Sequence, residues 1–120
     1  MATRRERHPV RVGALLWPQA TTWPELRDAA ERADAAGLDS IWTWDHLRAI
    51  VGDPDQDIFE GWTLLAAWAA VTRRATLGLM VGANTFRNPG VTAKAAVTLD
   101  HVSGGRAWLG LGGAWFDHEH

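Results

Sequence analysis

The chain has 120 residues, 47% hydrophobic and 22% charged, the composition of one ordinary globular domain rather than of a disordered or fibrous chain. A net charge of -2 argues against nucleic acid or an anionic membrane surface as a partner. The absence of cysteine excludes disulfides and thiolate metal sites and is compatible with a reducing cytoplasm.

Residues 1–9 form a polar leader whose only basic cluster is Arg4, Arg5 and Arg7, with no apolar stretch behind it long enough for a secretory signal or a membrane span. The domain is expected over residues 10–120. Val10 to Leu16 (VRVGALL) reads as a short buried strand between His8-Pro9 and Trp17-Pro18. Thr22 then opens a helix as N-cap, with Pro24 in the first turn and Glu25 three residues on to complete a capping box. Leu26, Ala29, Ala30, Ala33 and Ala36 share one face at helical spacing, Arg27, Asp28, Glu31 and Arg32 the other, and Gly37 supplies a left-handed stop.

Leu38 to Trp44 (LDSIWTW) is a second strand, followed by a polar loop from Asp45 to Asp57. A second helix covers roughly Phe59 to Thr72, with Trp62, Leu65, Ala66, Ala69 and Ala70 on its buried side. Thr76 to Val81 (TLGLMV) is a third strand. Asn88-Pro89 opens a third helix that runs to about Ser103 and stops at Gly104-Gly105. Ala107 to Leu111 (AWLGL) is a fourth strand, and Gly112-Gly113 turns out of it.

Strands alternating with helices imply a parallel sheet with right-handed crossovers. The strands are apolar throughout, as expected where both faces are covered. A doubly wound sheet could be complete near this size, whereas an eight-stranded barrel needs roughly 250 residues. Periodicity alone does not separate the two.

In either architecture ligands collect at the carboxyl ends of the strands. Those ends carry Trp17, the pair Asp45-His46, the pair Ala83-Asn84, and Gly112-Gly113. A histidine there exchanges a proton near neutral pH, and an adjacent carboxylate can accept its hydrogen bond or tune its charge. The competing reading makes Asp45 a turn cap and His46 a polar loop residue. Gly110-x-Gly112-Gly113 fails the dinucleotide fingerprint, because Trp115 stands where a third glycine is needed. It can still present backbone N–H groups to a phosphate. Arg87 suits a carboxylate of its own fold better than a ligand anion, and Trp42 and Trp44 share a sheet face by strand period, as core filling. His118 and His120 frame Asp117 and Glu119, but histidines two apart share no helical face, so no metal site is expected.

The segments GLDSIWTWDHL, NTFRNPGVTAKAAVTLDHVSGGRAWLGLGGAW and FDHEH resemble the luciferase-like monooxygenase superfamily, and within it the coenzyme F420-dependent oxidoreductases. The resemblance runs in order from about Val10 to His120 and is most specific from Asn84 to Trp115. It implies the amino-terminal half of a TIM (β/α)8 barrel, with about four parallel strands and the helices on the outer face. It implies F420 as cofactor, or FMN as the alternative, with Asp45 and His46 at the redox face and His46 as acid/base. Met80, Val81 and Gly82 would form a bulge, often with a cis non-proline peptide, behind the cofactor ring. Asn84 would lie near the ring, and Gly112, Gly113 and Ala114 would give backbone N–H groups to the cofactor phosphate.

The reaction implied is hydride transfer between F420 and a small organic substrate, the runner-up being oxygen insertion with FMN and O₂. Family members continue through four more strands, so the chain reads as an amino-terminal fragment. Its inner face would be left open unless a homo-oligomer or a complementing carboxyl-terminal half covers it. A non-catalytic half-barrel scaffold is the reading of another class.

Overall fold

A computed structural model describes residues 10–120; the polar leader over residues 1–9 lies outside the described residues. The chain order is β1 (Gly13–Leu15), α1 (Trp23–Ala35), β2 (Ser40–Thr43), α2 (Gly61–Val71), β3 (Thr76–Leu79), β4 (Gly82–Ala83), α3 (Pro89–Ser103), β5 (Ala107–Trp108), β6 (Leu111–Gly112) and a final 3₁₀ turn, Asp117–Glu119. Strands β1, β2, β3 and β5 form one parallel sheet in sequential order, and β4 pairs with β6 in parallel just beyond its carboxyl edge.

Two rows of side chains cross this sheet. Ala14, Ile41, Leu77 and Ala107 stand in register in one row, where Ile41 and Leu77 are fully buried against the helices. Each such aliphatic side chain contributes about 1.5–3 kcal/mol. Leu15, Trp42, Gly78 and Trp108 form the other row, and there Leu15 and Trp108 remain exposed. The helices pack in sequence on the sheet and on one another, α1 on α2 and α2 on α3. Sequential strand order with neighbouring helices in mutual contact is the plan of a half (β/α) barrel; a doubly wound sheet would reverse its order and split its helices between two faces. The expectation that the strands are covered on both faces is therefore corrected. It holds for the helix-facing row, while the inner row is covered only at its centre: the Trp42 ring lies over Gly78, where a Cβ would come within 2.6 Å of it, and meets Trp108 edge-on at 5.8 Å.

Local chemistry sets the helix ends. The Thr22 N–H donates to the Glu25 carboxylate at 2.8 Å, and Gly37 is left-handed at φ 85 as the chain leaves α1. Asn88 caps α3 by accepting the Gly90 N–H at 2.9 Å, and Gly104 stops it at φ 72. Helix α2 begins two residues later than expected because Glu60, rather than a residue before Phe59, caps it through the N–H groups of Trp62 and Thr63. Its buried arc also differs: Leu64 and Trp68 are buried, whereas Ala66 and Ala70 are exposed. As the middle helix it is enclosed by α1, α3 and the sheet, so more than one stripe is covered.

The strands are shorter than their apolar runs. The third run breaks at Met80–Val81, whose peptide bond is cis, and the fourth breaks at Leu109–Gly110. The two broken strands approach so closely that a Cβ on Gly110 would lie 2.4 Å from the Leu79 carbonyl oxygen. Their ladder resumes with the Gly82 N–H donating to the Gly110 carbonyl and the Asn84 N–H to that of Gly112, at 2.9 and 3.2 Å.

Candidate functional site

A cleft of about 390 Å³ opens at the carboxyl end of the sheet, within the size range of small-molecule sites. Its walls come from three places far apart in sequence: Trp44, Asp45 and His46 after β2, Met80 to Ala83 across the break in the third strand, and Gly112 to Trp115 from the last residue of β6 onward, with Ile50, Phe86 and Glu119 at its sides. The sheet explains the convergence, since parallel strands deliver all their exits to one edge. Of the residues singled out from sequence, Asp45, His46, Met80, Val81, Gly82, Gly112, Gly113 and Ala114 line the cleft. Asn84 does not. It is exposed beside Ala83, and its backbone rather than its side chain is held, by the Gly112 carbonyl.

Asp45 and His46 face different partners. The Asp45 side chain is fully buried and accepts two parallel hydrogen bonds from the Arg87 guanidinium, at 2.7 and 2.9 Å, and a third from the Ala83 N–H at 2.9 Å. A two-pronged guanidinium–carboxylate pair is the strong form of such contacts. Arg87 also binds Glu60, the α2 cap, so one cation ties the end of β2, the start of α2 and the turn before α3. Hydrogen bonding to Asp45, outweighing burial, holds the Arg87 pKa above its usual value. Burial pushes Glu60 up, yet hydrogen bonds from Thr63 and the Trp62 N–H, with the Arg87 charge, bring it below the usual carboxylate range. The pairing of Arg87 with a carboxylate of its own fold is the structural role its position suggested.

The expectation that the adjacent carboxylate serves His46 is corrected. Successive residues of an extended chain point to opposite sides, so Asp45 turns toward Arg87 while His46 turns toward Glu119. The His46 Nδ1 lies 2.8 Å from the Glu119 carboxylate, whose side chain is 1% exposed. Glu119 also accepts the N–H groups of Leu47 and Arg48. Rings of Trp44, Trp115 and Phe116 meet the imidazole edge-on at 6.1, 5.8 and 6.2 Å, and Trp44 packs on Trp17 at 4.8 Å.

Opposite these groups the Gly112 turn presents backbone. A Cβ on Gly112 would lie 2.4 Å from a Val81 methyl, whereas one on Gly113 would meet nothing within 4 Å. Gly112 is thus required by packing, and Gly113 faces open space. Ala114 adopts a left-handed conformation at φ 61, and the N–H groups of Gly113, Ala114 and Trp115 donate to nothing among the described residues. Consecutive free N–H groups around such a bend suit an anion. Among the described residues no group of three or more His, Asp or Glu side chains could hold a metal ion.

Three residues that hold this region were not singled out for these contacts in the sequence. Gln19 is buried and pins the loop after β2 through the Ile50 N–H, at 2.9 Å, and the Val51 carbonyl. Glu60 and Glu119 act as described above. A glutamate just before an apolar helix was a readable signal for Glu60; for Gln19 and Glu119 the sequence carries none, since their partners lie 31 and 73 residues away.

Comparison with known proteins gives consistent results. The chain is 37% identical over 118 residues to the phthiodiolone/phenolphthiodiolone dimycocerosates ketoreductase of Mycobacterium bovis, a match covering 84% of this chain and 31% of that protein. It is 40% identical over 93 residues to the F420-dependent glucose-6-phosphate dehydrogenase of Kineococcus radiotolerans, covering 73% of this chain and 26% of the relative. The chain thus spans about a third or less of the curated relatives it matches. Among solved structures, the coenzyme F420-dependent tetrahydromethanopterin reductase from Methanopyrus kandleri superposes with a TM-score of 0.77 at 26% identity, over 90% of this chain and 28% of that one. The family model described as luciferase-like monooxygenase matches residues 7–120. With nearly its whole length inside that match, and a half-barrel fold to go with it, the chain belongs to the luciferase-like monooxygenase family.

Proposed function

We propose that this chain forms the cofactor-binding half of an F420-dependent oxidoreductase acting on a small organic substrate. The observation that carries the reading is the cleft itself, where a clamped histidine, an apolar floor and free backbone N–H groups meet at one sheet edge. Support also comes from relatives whose names specify F420.

In this reading Met80, Val81 and Gly82 back a flat ring system, Gly112 lets the turn pack on Val81, and Gly113, Ala114 and Trp115 offer their free N–H groups to the cofactor phosphate. Met80 and Val81 are about half exposed beside a dense core, as apolar side chains awaiting a ligand are. The chemistry a bound deazaflavin supplies is hydride transfer at its C5 carbon. The chain's own share is to orient, to exclude water and to move the proton that accompanies the hydride. His46 does the last at Nε2, which has no hydrogen-bond partner among the described residues. Asp45, with its oxygens occupied by Arg87 and Ala83, orients the site and transfers no proton. The setting is the cytoplasm; no helix among the described residues is long and apolar enough to cross a membrane. A second copy or a carboxyl-terminal half-barrel covers the inner row of Leu15 and Trp108.

The family's description as monooxygenases favours a second reading, FMN-dependent oxygen insertion in the same cleft. Titration of the protein with F420 and with FMN separates the two. Saturable F420 binding is expected, and His46→Ala in the active enzyme should lower turnover by about 10²–10⁴-fold. Binding of FMN alone overturns the F420 reading, and undiminished turnover removes His46 from proton transfer.

A further inference from the structure

We infer that Glu119 is the positioning residue of this site, fixing His46 as the Nδ1–H tautomer so that Nε2 carries the lone pair. The inference deepens the proposed role of His46 and rests on that reading for its functional meaning, but its geometry stands apart from which cofactor binds.

An ionised carboxylate only accepts hydrogen bonds. Both Glu119 oxygens are in use: one takes the N–H groups of Leu47 and Arg48, and the other faces His46 Nδ1 at 2.8 Å. With the Glu119 side chain 1% exposed and that of His46 13%, water cannot readily replace either partner. A neutral imidazole must therefore place its single proton on Nδ1, because a lone pair there would oppose the carboxylate lone pairs. Three aromatic edges limit rotation of the ring, so a flip that exchanged the two nitrogens would have to displace Trp44, Trp115 or Phe116. The other nearby carboxylate is unavailable, since Asp45 is committed to Arg87 and Ala83.

The same contact explains why the turn after β6 matters beyond its N–H groups. Glu119 sits in the 3₁₀ turn that follows it, and its side chain reaches a loop 71 to 73 residues earlier. One residue thus sets both the backbone path after His46 and the protonation site of its ring. A histidine oriented by a carboxylate at Nδ1 leaves Nε2 ready to accept a proton, the arrangement that acid–base catalysis needs.

The test is nitrogen NMR of the 120-residue chain labelled at histidine, without cofactor, at a pH where His46 is neutral, with its signals assigned by their loss in His46→Asn. The expected spectrum shows a protonated Nδ1 and an unprotonated Nε2. In Glu119→Gln the amide oxygen can keep the Leu47 and Arg48 N–H groups, which turns the amide NH₂ toward Nδ1. The two nitrogen shift types should then exchange, with the proton now on Nε2. A wild-type His46 protonated at Nε2 overturns the inference by itself, as does a glutamine variant whose tautomer is unchanged. Because no cofactor is present, these outcomes are independent of the F420 and FMN titrations, so failure of one reading is distinguishable from failure of the other.

Discussion

The two ends of the sheet use the same device to different effect. At the amino end Asp34 accepts the N–H groups of Arg73, Arg74 and Ala75 at 2.7–2.9 Å, and Arg106 donates to the carbonyls of Ser103, Ala75, Ala69 and Thr72. At the carboxyl end Asp45 and Glu119 likewise accept backbone N–H groups, and Arg87 bridges two carboxylates. The amino-end network closes on itself, its carboxylate and guanidinium spent on backbone groups. The carboxyl-end network stops short, leaving His46 Nε2 and three consecutive N–H groups without protein partners among the described residues. Buried charge alone therefore does not mark a functional end; unspent hydrogen-bonding capacity in a cleft does.

The largest expected effect of breaking this contrast is at Arg87. Removing it strands a fully buried carboxylate, so Arg87→Ala should destabilise the fold by about 3–5 kcal/mol in denaturant unfolding and also weaken ligand binding in the cleft. A loss below about 1 kcal/mol would show that Asp45 finds another partner. Asp34→Ala at the opposite end leaves three N–H groups unsatisfied and should cost about 2–3 kcal/mol, with cofactor affinity unchanged once the protein is folded. Altered affinity would mean that the two ends are coupled. Within the cleft turn, Gly112→Ala should cost about 1–3 kcal/mol because its methyl collides with Val81. Gly113→Ala, with nothing within 4 Å, should stay within about 0.5 kcal/mol of wild type; equal losses at the two positions would refute the assigned division between packing and open space.

The smallest effect is a pH dependence. At Asp34 burial raises the pKa, but the three N–H groups and the Arg106 charge more than offset it, and the group lies below its usual value of 3.8; Glu60 lies below 4.5. A folded-state pKa below the unfolded one gives stability that is full above the unfolded value and is lost as pH falls through the folded one. Melting temperature should therefore drop in acid, from about pH 4.5 downward, and Asp34→Asn should flatten that acid limb. An identical acid limb in the variant would assign the dependence to other groups.

Helix α3 was legible almost to the residue, because Asn88-Pro89 and Gly104-Gly105 are chemical start and stop signals that act within one turn. Helix α2 was legible in place but not in its buried arc, since Trp68 and Leu64 are covered by neighbours that periodicity does not know. The strand centres were legible and their ends were not: the runs break where the third and fourth strands approach too closely for a side chain, as at Gly110. For the cleft, position at the strand exits identified Asp45, His46, Ala83, Gly112 and Gly113, and the family resemblance added Met80, Val81, Gly82 and Ala114, while Asn84 proved exposed beside it.

The sequence by itself determined the alternation of strands and helices, the family resemblance, and the strand exits that carry the cleft, because these depend on short-range spacing and local caps. Periodicity left the placement of the helices open and the resemblance put them on one outer face; only the tertiary structure decided that Arg87 belongs to Asp45 and Glu119 to His46. Those pairings join residues 42 and 73 positions apart, and a contact between distant residues is fixed by how strands register and turns fold back. No local pattern records it.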